Sequence, residues 1–298
     1  MSFIKNSIPG FIKNPINRIR NKVRWRRQFK EIINYYDNKT QITEEEKEVI
    51  NYLKKIGGLV VYPYEYTSGW DYLSIETYLD KDADLFYVLH NQHRLYFKRG
   101  MTENEVKGVY FGLLNEQSDN SPHLYLTEGF SVDNGSVVAD FGAAEGIFTL
   151  NVIEKVSQVY LFEPDPFWIE ALTYTFKPWK HKVEIVNKLV GNELNDTTVT
   201  VDNYFKDKKL DFIKADIEGS EAEMLEGAIH CLKTIQHIKL AITTYHKQFD
   251  YDNFSELLSN NYGFQVTHSY GYMLYFINNN LFPPYLRRGI LRAEKKII

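Results

Sequence analysis

The sequence predicts an α/β chain: a doubly wound, Rossmann-like sheet with a terminal antiparallel strand, preceded by a smaller α+β region. Three observations predict it. From Ser136 onward, β-like runs alternate with helical runs across short links, the pattern of βαβ units in a largely parallel sheet. Near the end, residues 263–266 and 272–276 read as strands with no room for a helix between them, so an antiparallel hairpin is expected on the sheet edge. Ahead of Ser136 the order differs, helices first and short strands after, as in a separate α+β layer.

Composition bounds the rest. At 298 residues, 44% of them hydrophobic, the chain has enough material for a core without disulfides or metals as staples. A net charge of −4, from 35 Lys and Arg against 39 Asp and Glu, argues against a nucleic-acid binder. The single cysteine, Cys231, excludes a disulfide framework and a cysteine zinc site, and fits a reducing compartment, so a cytoplasmic location is expected. No apolar run reaches the ~18 residues of a membrane span, and the N-terminal residues lack an apolar signal core. Aromatics at 15% suit core and half-buried surface, or faces on which sugars stack.

Residues 5–30 hold nine basic side chains and no acidic one. Ile12, Ile16, Ile19 and Val23 recur at helical spacing, so they are expected on one face of a basic helix, continued by Phe29, Ile32 and Ile33 after a phase slip. Such a helix either packs on the body with a solvated basic face or makes peripheral contact with an anionic membrane. Thr43 and Glu46 form a capping box for a second helix, which runs to about Lys55 and stops at Gly57 and Gly58. Residues 59–64, 84–89 and 94–98 read as strands, with a tight turn from His90 to His93. In the second half, strands are expected at 137–140, 158–162, 183–187, 211–215 and 238–243, and helices at 146–156, 166–176, 220–232 and 253–261. The resulting division is a basic helical segment (1–40), an α+β accessory region (41–130), the sheet domain (131–280) and a solvated basic tail (281–298) carrying Arg287, Arg288 and Arg292.

Three strand-to-loop junctions carry the chemistry. The first runs from Val137 to Gly146, a strand, a glycine turn and a helix start. In a doubly wound sheet, the crevice beyond such strand ends takes a nucleotide-like ligand. Gly142 is read as allowing close approach of that ligand, and Gly146 as easing the helix against the strand. A pyrophosphate fingerprint needs three glycines in G-x-G-x-x-G; here only Gly142 and Gly146 stand, with Glu145 near the phosphate position. A carboxylate there repels a dinucleotide and suits a cation, which disfavours a nicotinamide oxidoreductase.

The second junction puts Glu163 at a strand tip, from which an acid accepts hydrogen bonds from ribose hydroxyls, and Asp165-Pro166 as the cap and first residue of the next helix. The third carries Asp216, Glu218 and Glu221 within six positions, which is costly unless a cation such as a sulfonium, a metal or Lys214 is near. Ser220 and Glu223 read as a capping box, and acids in a first helical turn are stabilised there without function. Asp216 is therefore read as functional, Glu218 as open, and Glu221 and Glu223 as structural.

Together, Asp140-Phe-Gly-Ala-Ala-Glu-Gly146, Phe162-Glu-Pro-Asp-Pro166, Thr200-Val-Asp202, Lys214-Ala-Asp-Ile-Glu-Gly-Ser-Glu221 and Leu225-Glu-Gly-Ala228 resemble the FkbM-type S-adenosylmethionine-dependent methyltransferases, from about Gly135 to Phe276. The resemblance implies a class I methyltransferase fold, S-adenosyl-L-methionine as cofactor, and O-methylation of a saccharide or related small-metabolite hydroxyl. It further implies that Asp140, Gly142, Ala143, Glu145 and Gly146 hold the methionine part, that Glu163 holds the ribose, and that Asp216 lies between cofactor and acceptor. The chain departs from the family in Thr243-Thr-Tyr-His246, where such proteins carry an acidic residue before the histidine.

Methyl transfer to a hydroxyl is an in-line displacement in which the acceptor proton must leave. His246, after a core strand tip, is the expected general base, alongside Asp216 and Glu218; His123 is a weaker candidate. Asp216, Glu218 and His246 also have the composition of a divalent-ion site, but their spacing does not demand one and no metal is assigned. The competing reading is a non-catalytic cofactor-fold scaffold in a glycan-assembly system. The expected partner is a small-molecule or glycan acceptor.

Overall fold

Two helices open the computed structural model, which describes residues 15–68, 71–276 and 281–295 and side chains from residue 21 onward. Helix α1 spans Pro15–Asp37 and α2 spans Glu44–Ile56. Thr43 caps α2 in a reciprocal box with Glu46, and Gly57 ends it in the left-handed region at φ 63°, which glycine adopts at little cost. Ile32 and Tyr36 of α1 pack on Val49, Ile50 and Leu53 of α2, and both helices meet Leu274, Phe276, Tyr285 and Leu286.

Phe29, Ile32 and Ile33 pack in that cluster as expected, with Trp25, Tyr35 and Tyr36 beside them, but Val23, expected on the same face, is 64% exposed. Lys22, Arg26, Arg27 and Lys30 share the solvent side with Val23, so over its described side chains α1 packs on the body with a solvated basic stripe. Ile12 lies outside the described residues, as do the side chains of Ile16 and Ile19.

A three-stranded antiparallel sheet follows, made of β1 (Tyr78–Asp80), β2 (Leu85–His90) and β3 (His93–Tyr96). Asn91 and Gln92 at its turn both have positive φ, 48° and 68°, as a two-residue hairpin loop of the mirror type requires. Residues 59–64, expected as a strand, are not one. Their side chains Leu59, Val60 and Val61 go into the α1–α2 cluster, and the backbone pairs with the 272–276 segment through one bond, Leu274 N to Val61 O at 3.0 Å. Helix α3 (Glu103–Glu116), not among the elements expected from the sequence, completes the accessory region and is capped by a reciprocal box of Thr102 with Glu105.

The main sheet has seven strands in the order β11-β12-β10-β9-β4-β5-β6. These are β4 (Val137–Phe141), β5 (Gln158–Phe162), β6 (Val183–Val186), β9 (Phe212–Ala215), β10 (Lys239–Thr243), β11 (Gln265–His268) and β12 (Ile290–Glu294); a small parallel pair, β7 (Leu189–Val190) and β8 (Thr198–Val199), stands apart. β4, β5, β6, β9 and β10 are mutually parallel and β12 runs antiparallel between β10 and β11. The connecting helices are α4 (Ile147–Val152), α5 (Pro166–Thr175), α6 (Val201–Tyr204), α7 (Glu221–Glu226), α8 (Ile229–Thr234) and α9 (Asp250–Glu256), the last continued by a π turn. The helix expected at 220–232 is split at Gly227, where a Cβ would stand 2.0 Å from the Gly191 carbonyl oxygen. One apolar layer joins α3, α4 and α5 to one sheet face, and a second joins α7, α8 and α9 to the other.

The antiparallel strand is not where the sequence pattern puts it. Residues 272–276 form no sheet strand, and Met273 makes only an isolated bridge to Arg287. The strand comes instead from Ile290, Leu291 and Ala293, all fully buried, inside the segment expected as a solvated basic tail. Its arginines are absorbed by carbonyl groups: Arg292 donates to Tyr125 O at 3.0 Å and Leu124 O at 2.5 Å, and Arg287 to Tyr245 O and His246 O at 2.7 Å each. Arg288 pairs with Glu45 at 2.8 Å. Among the described residues no helix is long and apolar enough to cross a membrane.

Candidate active site

Strand order reverses at β4, whose neighbours are β5, next in sequence, and β9, far from it. The loops at the carboxyl ends of these strands therefore diverge and leave a crevice. Gly142, Ala144 and Gly146 in the loop after β4 all have positive φ, at 73°, 46° and 86°. A Cβ on Gly142 would lie 1.9 Å from Asp216 O, so this glycine lets two strand loops touch; one on Gly146 would strike Leu172 and Phe176. The close approach required of Gly142 is thus first to the loop after the neighbouring strand β9.

Glu163 at the tip of β5 closes that loop. Its carboxylate accepts from Ala144 N at 2.9 Å through Oε2 and from Asp165 N at 2.8 Å through Oε1, and the residue is 6% exposed. Burial raises its pKa against those two donors. Asp165 caps α5 through Phe167 N, and Lys98 from the accessory region pairs with it at 2.5 Å. Glu145 is buried and burial pushes its pKa up to about 8.

Asp140, expected to touch the cofactor, is fully buried beneath the loop. Thr149 donates to its Oδ2 at 2.8 Å, and Lys214 Nζ stands 3.1 Å from its Oδ1 while donating to Gly142 O at 2.7 Å. Burial opposes the Lys214 charge, but Asp140 and Asp216 outweigh it and raise its pKa. A charge buried this deeply persists because it is paired. Asp140 therefore shapes the loop from below.

Asp216, past the tip of β9, gathers the polar groups of two other segments, residues 123–125 and 245–246. Tyr125 OH donates to its Oδ2 at 2.9 Å, Tyr245 OH to its Oδ1 at 3.4 Å, and His123 Nε2 lies 3.4 Å from Oδ2. His246 Nε2 lies 3.7 Å from Asp216 Oδ1 and 3.6 Å from Glu218 Oε2. Burial alone would raise the Asp216 pKa, but His123, His246 and Lys214 hold it well below the usual carboxylate range. Burial likewise opposes charge on His246, and Glu221, Asp216 and Glu218 outweigh it and raise its pKa.

The structure thus brings Asp216, Glu218 and His246 together past β9 and β10 and sets Glu163 and Glu145 around the glycine loop of the adjacent strand β4. Glu221, read as structural, is instead part of this cluster. It is fully buried, its Oε1 accepts from Ile217 N at 3.0 Å and Thr243 Oγ1 at 2.9 Å, and it stands 3.1 Å from His246 Nδ1. Ser220 makes no side-chain cap, because the turn through Glu218 and Gly219, both at positive φ, replaces the capping box. Tyr125 and Tyr245 were missed; each lies within two residues of a histidine that the sequence had singled out.

Residues 172–272 match the family model of the methyltransferase FkbM domain. That segment holds Asp216, Glu218, Glu221 and His246, while the glycine loop and Glu163 precede it. Among curated proteins none matches the chain. Similar solved structures include a methyltransferase FkbM from Methylobacillus flagellatus (18% identity, 65% of this chain and 55% of that one, TM-score 0.46). Trm5b from Pyrococcus abyssi is 18% identical over 70% of this chain and 55% of its own, with a TM-score of 0.40. A putative methyltransferase from Streptococcus mutans, in complex with SAH, is 14% identical over 55% and 91%, with a TM-score of 0.36. The chain spans 55% of the length of the first two. The architecture is α/β and Rossmann-like.

Proposed function

We propose that this chain, a methyltransferase with an FkbM domain, transfers a methyl group from S-adenosylmethionine to a hydroxyl of a saccharide or related small metabolite, in the cytoplasm. The observation that carries the reading is the pair of carboxylates at the crevice, Glu163 past β5 and Asp216 past β9, on either side of the Gly142–Gly146 loop. Their chemistry fits the cofactor. Glu163 and Asp216 are acceptors that suit ribose hydroxyls and a cation, and neither suits a pyrophosphate.

Glu163 would hold the ribose, and Gly142, Ala143, Glu145 and Gly146 the methionine part. When bound, the cofactor supplies an electrophilic methyl group on a sulfonium. The chain then has to align an acceptor oxygen and take its proton. Asp216 is fixed by Tyr125 and Tyr245, so its position costs little reorganisation during reaction. His246 and Glu218 are the nearest groups to receive the proton, within general-base reach of an oxygen held at Asp216. Tyr245 and Tyr275, whose rings pack at 5.1 Å, offer the aromatic faces and hydroxyls that sugars meet.

The test is incubation with methyl-labelled S-adenosylmethionine and a panel of glycans, nucleotide sugars and small polyols. Label in a hydroxyl of one of them supports the reading; label on nitrogen or carbon only would overturn the O-methyl assignment.

A further inference from the structure

We infer that Asp216, Glu218 and His246 form a binding site for one divalent metal ion, with Glu221 orienting the imidazole from behind. Oxygens of Asp216 and Glu221 and a ring nitrogen of His246 all lie within 4.8 Å of one another. The His246 side chain is 3% exposed; its Nδ1 faces Glu221 Oε1 at 3.1 Å, while Nε2 makes no hydrogen bond. A buried imidazole nitrogen left without a partner is costly and calls for an explanation.

The distances supply one. Nε2 stands 3.7 Å from Asp216 Oδ1 and 3.6 Å from Glu218 Oε2, too far for hydrogen bonds. Two donors each about 2.1 Å from one ion and about 120° apart are separated by roughly 3.6 Å, so the spacing is that of ligands sharing a cation. On the other side of the ring, Nδ1 lies 3.1 Å from Glu221 Oε1, and that oxygen is itself pinned by Ile217 N and Thr243 Oγ1. A carboxylate behind a ligating histidine selects the tautomer that leaves Nε2 free to coordinate.

Charge points the same way. Asp216, Glu218 and Glu221 gather around His246, with His123 Nε2 3.4 Å from Asp216 on its other side, and Lys214 is already held by Asp140 and the Gly142 carbonyl. One imidazole with carboxylates suits Mn2+, Fe2+ or Zn2+ better than Ca2+. Glu218, with its side chain 85% exposed, gives the ion an entry path.

The role of the ion rests on the methyl-transfer reading above; its binding does not. Beside such an ion an acceptor hydroxyl loses its proton more readily. The oxygen then displaces the methyl from sulfur: an O–C bond forms and the S–C bond breaks with its electron pair on sulfur. Because Nε2 on the ion cannot also act as base, the proton leaves to water on the open Glu218 side in place of the direct transfer to His246.

The test uses the full chain, stripped with a chelator, titrated with Mn2+ while free Mn2+ is followed by electron paramagnetic resonance. One ion per chain is expected, with binding weakened at least tenfold in Asp216→Asn and in His246→Ala, and 10–100-fold in the conservative Glu221→Gln; thermal melts check that the variants fold. Absence of Mn2+ binding, or binding unchanged in Asp216→Asn and His246→Ala, overturns the site. S-adenosylmethionine is titrated separately into the stripped protein: if it binds where Mn2+ does not, the metal inference falls alone, and if Mn2+ binds where it does not, the methyltransferase reading falls alone.

Discussion

Glu163 Oε2 accepts a hydrogen bond from the amide of Ala144 at 2.9 Å, tying the tip of β5 to the glycine loop that follows β4. The acid expected to grip a ribose is therefore also the clamp that shapes the loop beside it. Its partner distances predict a double effect: Glu163→Ala loses about 1.5–3 kcal/mol of S-adenosylmethionine binding and about 1–3 kcal/mol of stability, because two backbone N–H groups lose their acceptor. Calorimetry for binding and denaturant melts for stability check the two separately. Full affinity in a folded variant would remove Glu163 from the ribose role.

Asp216→Asn keeps shape and removes charge, so it should lower turnover by more than it lowers cofactor affinity. His246→Ala should lower turnover by roughly 10²–10⁴-fold. Steady-state kinetics with a methyl acceptor, alongside cofactor titration, separate the two quantities. Turnover near that of the unaltered protein in His246→Ala would return this histidine to a packing role.

Glu145 makes stability fall with rising pH. Its folded pKa of about 8 lies above the ordinary carboxyl value of 4.5, with burial as the largest cause. Between those values the unfolded chain has released a proton that the folded one still holds, so unfolding becomes easier as pH rises. The contribution is complete below the lower value and lost above the upper one. Glu145→Gln removes this slope, and its melting temperature relative to the unaltered protein should rise steadily from pH 5 to pH 8, by the equivalent of a few kcal/mol at most. A constant difference across that range would contradict the assignment.

On α1, Lys22, Arg26, Arg27 and Lys30 share the solvent side with Val23. Vesicles containing anionic lipid should bind the protein at low salt and release it as salt rises, with about 1 kcal/mol lost for each of these residues replaced by glutamine. Cofactor affinity should not change. Indifference of the unaltered protein to such vesicles at low salt would leave α1 as a packing helix alone.

Periodicity and strand-tip position made much of the second half legible. Glu163, Asp216 and His246 stand where the alternation of β and helical runs puts strand ends. What escaped is non-local. Tyr125 reaches Asp216 across 91 positions, and no local pattern encodes that distance. Arg287 and Arg292 read as a basic tail because charge normally stays in solvent; here backbone carbonyls of residues 124, 125, 245 and 246 take their guanidinium groups, and Ile290, Leu291 and Ala293 carry the strand. Glu221 looked like a first-turn acid on an exposed helix start, and only its burial against His246 reveals otherwise.

The most direct measurement of the central claim is a calorimetric titration of the purified full chain with S-adenosylmethionine, its demethylated product and NAD. The account predicts saturable one-to-one binding of the first two, weakened about 10-fold or more by Glu163→Gln, and no binding of NAD. NAD binding, or no binding of S-adenosylmethionine or its product by the folded protein, would contradict it.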